Sequence, residues 1–126
     1  MRNPVRLVTT VAAMAALTGS LALALPGAAA AATPSASDIQ QGKALAFDRD
    51  EGNCLACHMI PGGQMAGTIG PPLVAMKARF PDRQKLFDQI WDPRHMNPHT
   101  IMPPFGANRI LDKSQINKII DFLYTH

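Results

Sequence analysis

Apolar positions fall into helical rather than strand order along most of the chain. The strongest pattern lies at the C-terminal end, where Ile116, Ile119, Ile120 and Leu123 recur at i, i+3, i+4 and i+7. Asp112 and Gln115 stand three apart just before it, the spacing of a capping box. A second helix is expected in "DRQKLFDQIWD", with Leu86, Phe87, Ile90 and Trp91 on one side, Pro81 in its first turn and Pro93 closing it. "LVAMKARF" predicts a shorter one through Leu73, Met76 and Phe80. "SDIQQGKALAFD", capped by Ser37 or Asp38, places Ile39, Gly42, Ala46 and Phe47 near one face. No stretch alternates as a strand would. The expectation is an all-α domain of four or five short helices joined by long Pro/Gly loops. Loops that long in a small domain need something to order them.

The beginning of the chain reads differently. Arg2 and Arg6 precede an apolar run from Leu7 to Leu25, which ends at Pro26-Gly27 and the alanines 28–32. This is the layout of a secretory signal peptide, interrupted by Thr9, Thr10, Thr18, Gly19 and Ser20 in a way that suits a membrane anchor poorly. The expected organisation is a cleaved leader over 1–32 with its cleavage bond within 28–33, a flexible start over 33–37 and one domain over 38–126. The mature protein is then periplasmic and carries no stable membrane anchor. Losing Arg2 and Arg6 lowers the formal net charge from +3 to +1, so the basic balance gives no support to nucleic-acid binding. A remaining domain of 94 residues buries a marginal core and needs a staple.

The chemistry is concentrated in "GNCLACHMIPGG". Cys54 and Cys57 are the chain's 2 cysteines, and His58 follows directly. C-x-x-C-H is the c-type haem attachment signature. On a helical turn the two thiols share a face and reach the two vinyl groups of one haem, while His58 points at the iron. Three rivals use the same residues. Structural zinc needs four ligands, usually from two separated pairs, and there is no second cysteine pair. A thioredoxin-type dithiol expects a preceding strand, and a plain disulfide leaves His58 unexplained. One motif implies one covalently attached haem c.

A sixth iron ligand must come from elsewhere. Met59 adjoins His58 and cannot reach the far face, Met76 lies on an apolar helical stripe, and Met65 follows the motif too closely. Met102, in "TIMPPFGANRIL", follows His58 by 44 residues and is stiffened by two prolines. Met96 and His99 remain its rivals. Methionine opposite histidine raises the reduction potential and suits electron transfer; a second histidine lowers it. Trp91, the only tryptophan, is assigned to helix packing, with a haem propionate as its other conceivable contact.

With "GNCLACHMIPGG", "GTIGPPL", "IWDP", "MPPFGANRIL" and "INKIIDFLY" on one chain, the sequence resembles the class I cytochromes c. Within them it resembles the SoxX family, the mono-haem subunits of the SoxAX cytochromes of bacterial sulfur oxidation. The resemblance implies His58 and Met102 as the axial pair, and a Pro71 carbonyl that orients His58 by accepting its other ring N–H. It implies close crossing of the first and last helices at Gly42, near Phe122. Phe47 comes five residues after Gly42, where the common pattern has an aromatic at four. The resemblance further implies a SoxA-like haem subunit as heterodimer partner. Electrons would come from oxidative attachment of thiosulfate to a cysteine of a sulfur-carrier protein and leave to an acceptor cytochrome. The chain would take part in enzyme catalysis only within that complex. The alternative is a free-standing periplasmic electron carrier, or the haem subunit of another dehydrogenase.

Overall fold

The structure, a computed structural model, describes residues 33–65 and 67–126. The proposed leader lies outside the described residues. Among the described residues four α-helices follow one another: α1 (Ala36–Phe47), α2 (Met76–Arg79), α3 (Arg83–Trp91) and α4 (Lys113–Leu123). Two 3-10 turns, Cys54–Ala56 and Pro93–His95, complete the set, and there is no strand among the described residues. The all-α expectation holds.

Helix α4 is the centre of the core. Its capping box is present: Gln115 N–H donates to Asp112 Oδ1 at 2.8 Å, and Asp112 N–H donates to Gln115 Oε1 at 2.8 Å. Ile116, Ile119 and Ile120 are each no more than 1% exposed, and burial of such a side chain contributes about 1.5–3 kcal/mol. Helix α1 crosses α4 at Gly42. A Cβ there would overlap the Lys118 carbonyl, so only hydrogen fits between the two backbones. The crossing is one turn earlier on α4 than the position near Phe122 expected from the sequence. Phe47 instead meets Phe122 edge to face, ring centroids 5.6 Å apart.

Local starts and stops differ from the sequence reading for identifiable reasons. Helix α1 begins at Ala36 because Ser35, not Ser37 or Asp38, accepts the Asp38 N–H at 3.0 Å. Residues 36–37 therefore belong to the helix and not to a flexible start. Helix α2 is cut to one turn: Pro71 and Pro72 precede it, and Ala75 sits in the left-handed region at φ 50°. Asp82 caps α3 by accepting from Gln84 N–H at 2.9 Å, which leaves Pro81 outside the helix.

Four contacts fasten the middle of the chain to its end. Arg83 Nη1 pairs with Asp121 at 2.6 Å while its Nη2 donates to the Asn117 carbonyl at 2.8 Å. The Tyr124 hydroxyl donates to the Phe80 carbonyl at 2.7 Å. Met76 N–H donates to the His126 carbonyl at 3.0 Å. Together they hold α2 and α3 against α4, leaving a cavity between these helices and the segment that carries the cysteines.

Candidate functional site

The cysteine segment is shaped from both sides. Before it, Asn53 adopts a left-handed conformation at φ 46°, which asparagine tolerates better than most residues, and its N–H donates to the Asp48 carbonyl at 2.8 Å. The 3-10 turn follows. The Cys54 carbonyl accepts from Cys57 N–H at 3.3 Å and from His58 N–H at 2.9 Å. Residues i and i+3 of such a turn eclipse one another, which sets Cys54 and Cys57 on a common side. Both are free thiols, half-buried. Burial pushes the Cys54 thiol up to about 11, a measure of how apolar its surroundings are.

After it, the loop of residues 67–73 runs back alongside the turn. Gly67 N–H donates to the Leu55 carbonyl at 2.7 Å, Gly70 N–H to Cys57 at 2.8 Å and Leu73 N–H to Met59 at 2.8 Å. This register puts the Pro71 carbonyl 2.7 Å from His58 Nδ1. A carbonyl oxygen only accepts, so Nδ1 carries the proton and Nε2 keeps its lone pair for another partner. Gly70 lies against the imidazole, and a Cβ at that position would overlap the ring. Arg79 steadies the same loop by donating to the Pro72 carbonyl at 2.7 Å.

Cys54, Cys57 and His58 line a cavity of about 730 Å³, together with Pro71 and Met102. Its wall is mostly apolar, built from Leu73, Met76, Phe80, Leu86, Ile90, Phe105, Leu111, Ile119 and Leu123. Met102 enters it half-buried. Its N–H donates to Thr100 Oγ1 at 3.1 Å, and its sulfur accepts from Gln89 Nε2 at 3.7 Å. The loop beyond is anchored on α3, where the Trp91 carbonyl accepts from Gly106 and Ala107 N–H, each at 3.1 Å.

The other methionines and histidines separate by position. Met65 is 89% exposed and Met96 49% exposed, and neither is among the described residues that line this cavity. Met76 lines it but is a buried wall residue of α2. His99 also lines it, three residues before Met102. His95 faces Asp92 at 3.6 Å and His126 packs edge to face on Phe122. Trp91 stacks on Phe87 with centroids 5.7 Å apart and is outside the lining.

Two site residues escaped the sequence reading. Gln89 falls three positions after Leu86 on the inward side of α3, and a polar residue on an apolar face was the signal. Arg79 had none: its role depends on a carbonyl seven residues back. Among the described residues no group of three or more His, Cys, Asp or Glu side chains could hold a metal ion; the soft donors that line the apolar enclosure are the imidazoles of His58 and His99, the thiols of Cys54 and Cys57 and the thioethers of Met76 and Met102. That set and enclosure fit a flat apolar macrocycle with an iron centre.

Among protein families, the model described as cytochrome c matches residues 39–126. No curated protein matches the chain.

Proposed function

The chain belongs to the cytochrome c family, a family of electron-transfer proteins with covalently bound haem c, and from that premise we propose that it is the mono-haem SoxX-type subunit of a periplasmic SoxAX complex. Cys54 and Cys57 hold a single haem as thioethers, with His58 and Met102 as its iron ligands. The observation that carries the haem site is the convergence of these four side chains on one apolar cavity, with His58 Nδ1 already committed to Pro71. The haem, when bound, supplies a one-electron ferric–ferrous couple. The protein's own part is to bind, orient and shield. Pro71 fixes the imidazole's tautomer and angle, Thr100 and Gln89 hold Met102, and the wall from Leu86 to Leu123 excludes water. Two retained ligands and a fixed wall keep rearrangement small when the electron arrives.

The partner reading is supported by the rim. Ile69 is 66% exposed and Ile101 76% exposed at the cavity, and Ile110, also exposed, lines it too. No lysine is found among the described lining residues, whose only Arg, Asp or Glu side chains are Arg49, Glu51 and Arg79. An apolar rim suits a standing partner, whereas a transient carrier docks through a ring of one charge. In the complex, joining thiosulfate to a carrier-protein thiol forms one S–S bond and releases one proton and two electrons. The electrons pass one at a time through this chain to an acceptor cytochrome. With Cys54 and Cys57 in thioethers, the chain has no thiol for the sulfur chemistry, which belongs to the SoxA-like subunit.

The test is size-exclusion chromatography of the native protein from periplasm in mild salt. It should elute with a second, larger haem subunit, and thiosulfate should reduce its haem only when that subunit and the carrier protein are present. A lone peak at the mass of one small haem domain would leave an electron-carrier cytochrome c and remove the SoxX assignment.

A further inference from the structure

A second hollow, of about 650 Å³, adjoins the cysteine turn. Its walls come from Phe47 and Arg49 at and after the end of α1, from Leu55 and Ala56 in the turn, and from the loop over 62–65. Gly62 at φ 76° and Met65 at φ 54° both take the left-handed conformation, so this loop turns sharply. It closes down on Leu55, whose side chain a Cβ on Gly63 would overlap. Arg49, Asn53 and Ala56 line both the hollow and the large cavity, so the partition between the two spaces is one residue thick there. The apolar rim is a separate surface: Ile69, Ile101 and Ile110 line the cavity and are not among the described residues that line the hollow.

The hollow is cationic. Arg49 lines it, and Lys43 reaches its edge, where Nζ lies 5.6 Å from the Phe47 ring centroid and 3.6 Å from the place a Cβ on Gly62 would take. Among the described residues neither cation has an ion-pair partner. Asp48, Asp50 and Glu51 are near in sequence, but none lines the hollow. Asp48 accepts from the Asp50 N–H at 2.8 Å, and Glu51 accepts from Gln115 on α4 at 3.4 Å. Asn53 and Gln64 add exposed amides that donate readily to carboxylates. Two uncompensated cations beside two amide donors fit the carboxylates of an acidic protein surface.

Building on the reading of this chain as a subunit that passes electrons onward, we propose that the hollow is the docking surface for its electron acceptor, a protein with an acidic face, which seats there while the apolar rim stays covered by the haem subunit. Each visit oxidises the ferrous haem by one electron and reduces the acceptor's metal centre by one. Electrons then enter and leave by separate faces, and the acceptor comes and goes without the two subunits parting.

The experiment uses the reduced holoprotein in the complex in which it purifies and follows its oxidation by stopped-flow absorbance. The oxidants are a blue-copper protein with an acidic face and tris(phenanthroline)cobalt(III), a small cation. Lys43→Glu with Arg49→Glu should slow oxidation by the copper protein roughly tenfold at low ionic strength and speed oxidation by the cobalt complex. Both differences should shrink in about 1 M salt, where charges are screened within about 3 Å. Lys85→Glu with Lys113→Glu makes the same change of net charge at exposed sites outside the hollow. That pair should leave the copper-protein rate within about twofold of the parent. A changed haem potential alone would move both oxidants the same way. That result, equal slowing in the two pairs, or no slowing at all overturns the proposal. The partner reading fails separately: a lone peak in size exclusion removes the standing subunit, while the same rates still decide whether the acceptor docks at the hollow. Should the Lys43–Arg49 variant not fold, hexacyanochromate(III), a paramagnetic anion, locates the cationic surface on the unmodified ferrous protein by NMR. It should broaden the side-chain amides of Asn53 and Gln64 first. Broadening that starts instead around Lys77, Lys85 or Lys113 overturns the proposal.

Discussion

At the scale of single residues, the site depends on a few atoms that have no room to move. Gly70 is the sharpest case. Its Cα hydrogen faces the His58 ring, and Gly70→Ala must displace either the imidazole or the loop that carries Pro71. The expected outcome is loss of stably attached haem or a lowered potential, read from haem yield after acid-acetone treatment and from redox titration. Met102→Ala should lose the ferric charge-transfer band, while Met96→Ala, changed at a half-exposed side chain outside the cavity, should keep it. Asp92 gives a pH signature. Hydrogen bonds from the Arg94 side chain, which reaches both carboxylate oxygens at 2.7 Å, outweigh desolvation and lower the Asp92 pKa to about 2. A depressed carboxylate contributes stability above its unfolded pKa of about 3.9 and loses it as pH falls through the folded value. Acid unfolding should therefore steepen between about pH 4 and about pH 2. Asp92→Asn should flatten that part of the curve, as followed by circular dichroism.

At the scale of elements, the α1–α4 crossing is the contact most sensitive to one methyl group. Gly42→Ala forces the helices apart at Lys118, and overpacking of this kind costs about 1–3 kcal/mol. Denaturant titration of the holoprotein should show a lowered midpoint with an unchanged slope. Losing the capping box in Asp112→Ala should cost about 1 kcal/mol by the same measurement. These elements also show what a sequence can carry. Helix α4 was legible in full, because its period and its cap are local. The cysteine motif was legible because its chemistry is set by spacing. The apolar pattern of "LVAMKARF" extends beyond the single turn of α2, since nothing in it announces that Ala75 turns left-handed. The sequence does not single out Ser35 as the cap, because three serine or aspartate candidates stand within four positions and only the backbone path chooses among them. Gln89 and Arg79 were not assigned because their partners lie on separate turns or loops, brought close only by tertiary packing.

For the whole molecule, the arrangement of helices has a consequence for the order in which the protein is made. Helix α1 is synthesised first and its packing partner α4 last. A 12-residue helix is marginal in water by itself, so α1 has little to stabilise it until α4 arrives. The His126 carbonyl, which accepts the Met76 N–H, is supplied later still. Between those two events the chain already contains Cys54, Cys57 and His58, with no closed wall over them. The thiols are then open to solvent, and become half-buried once α4 docks. Chains ended before Lys113 should keep both thiols reactive towards a maleimide at the rate of an unfolded peptide, whereas in the full apo chain Cys54 should react more slowly. The crossing at Gly42 therefore forms only once α4 is available, and the wall beside the cysteine turn closes with it.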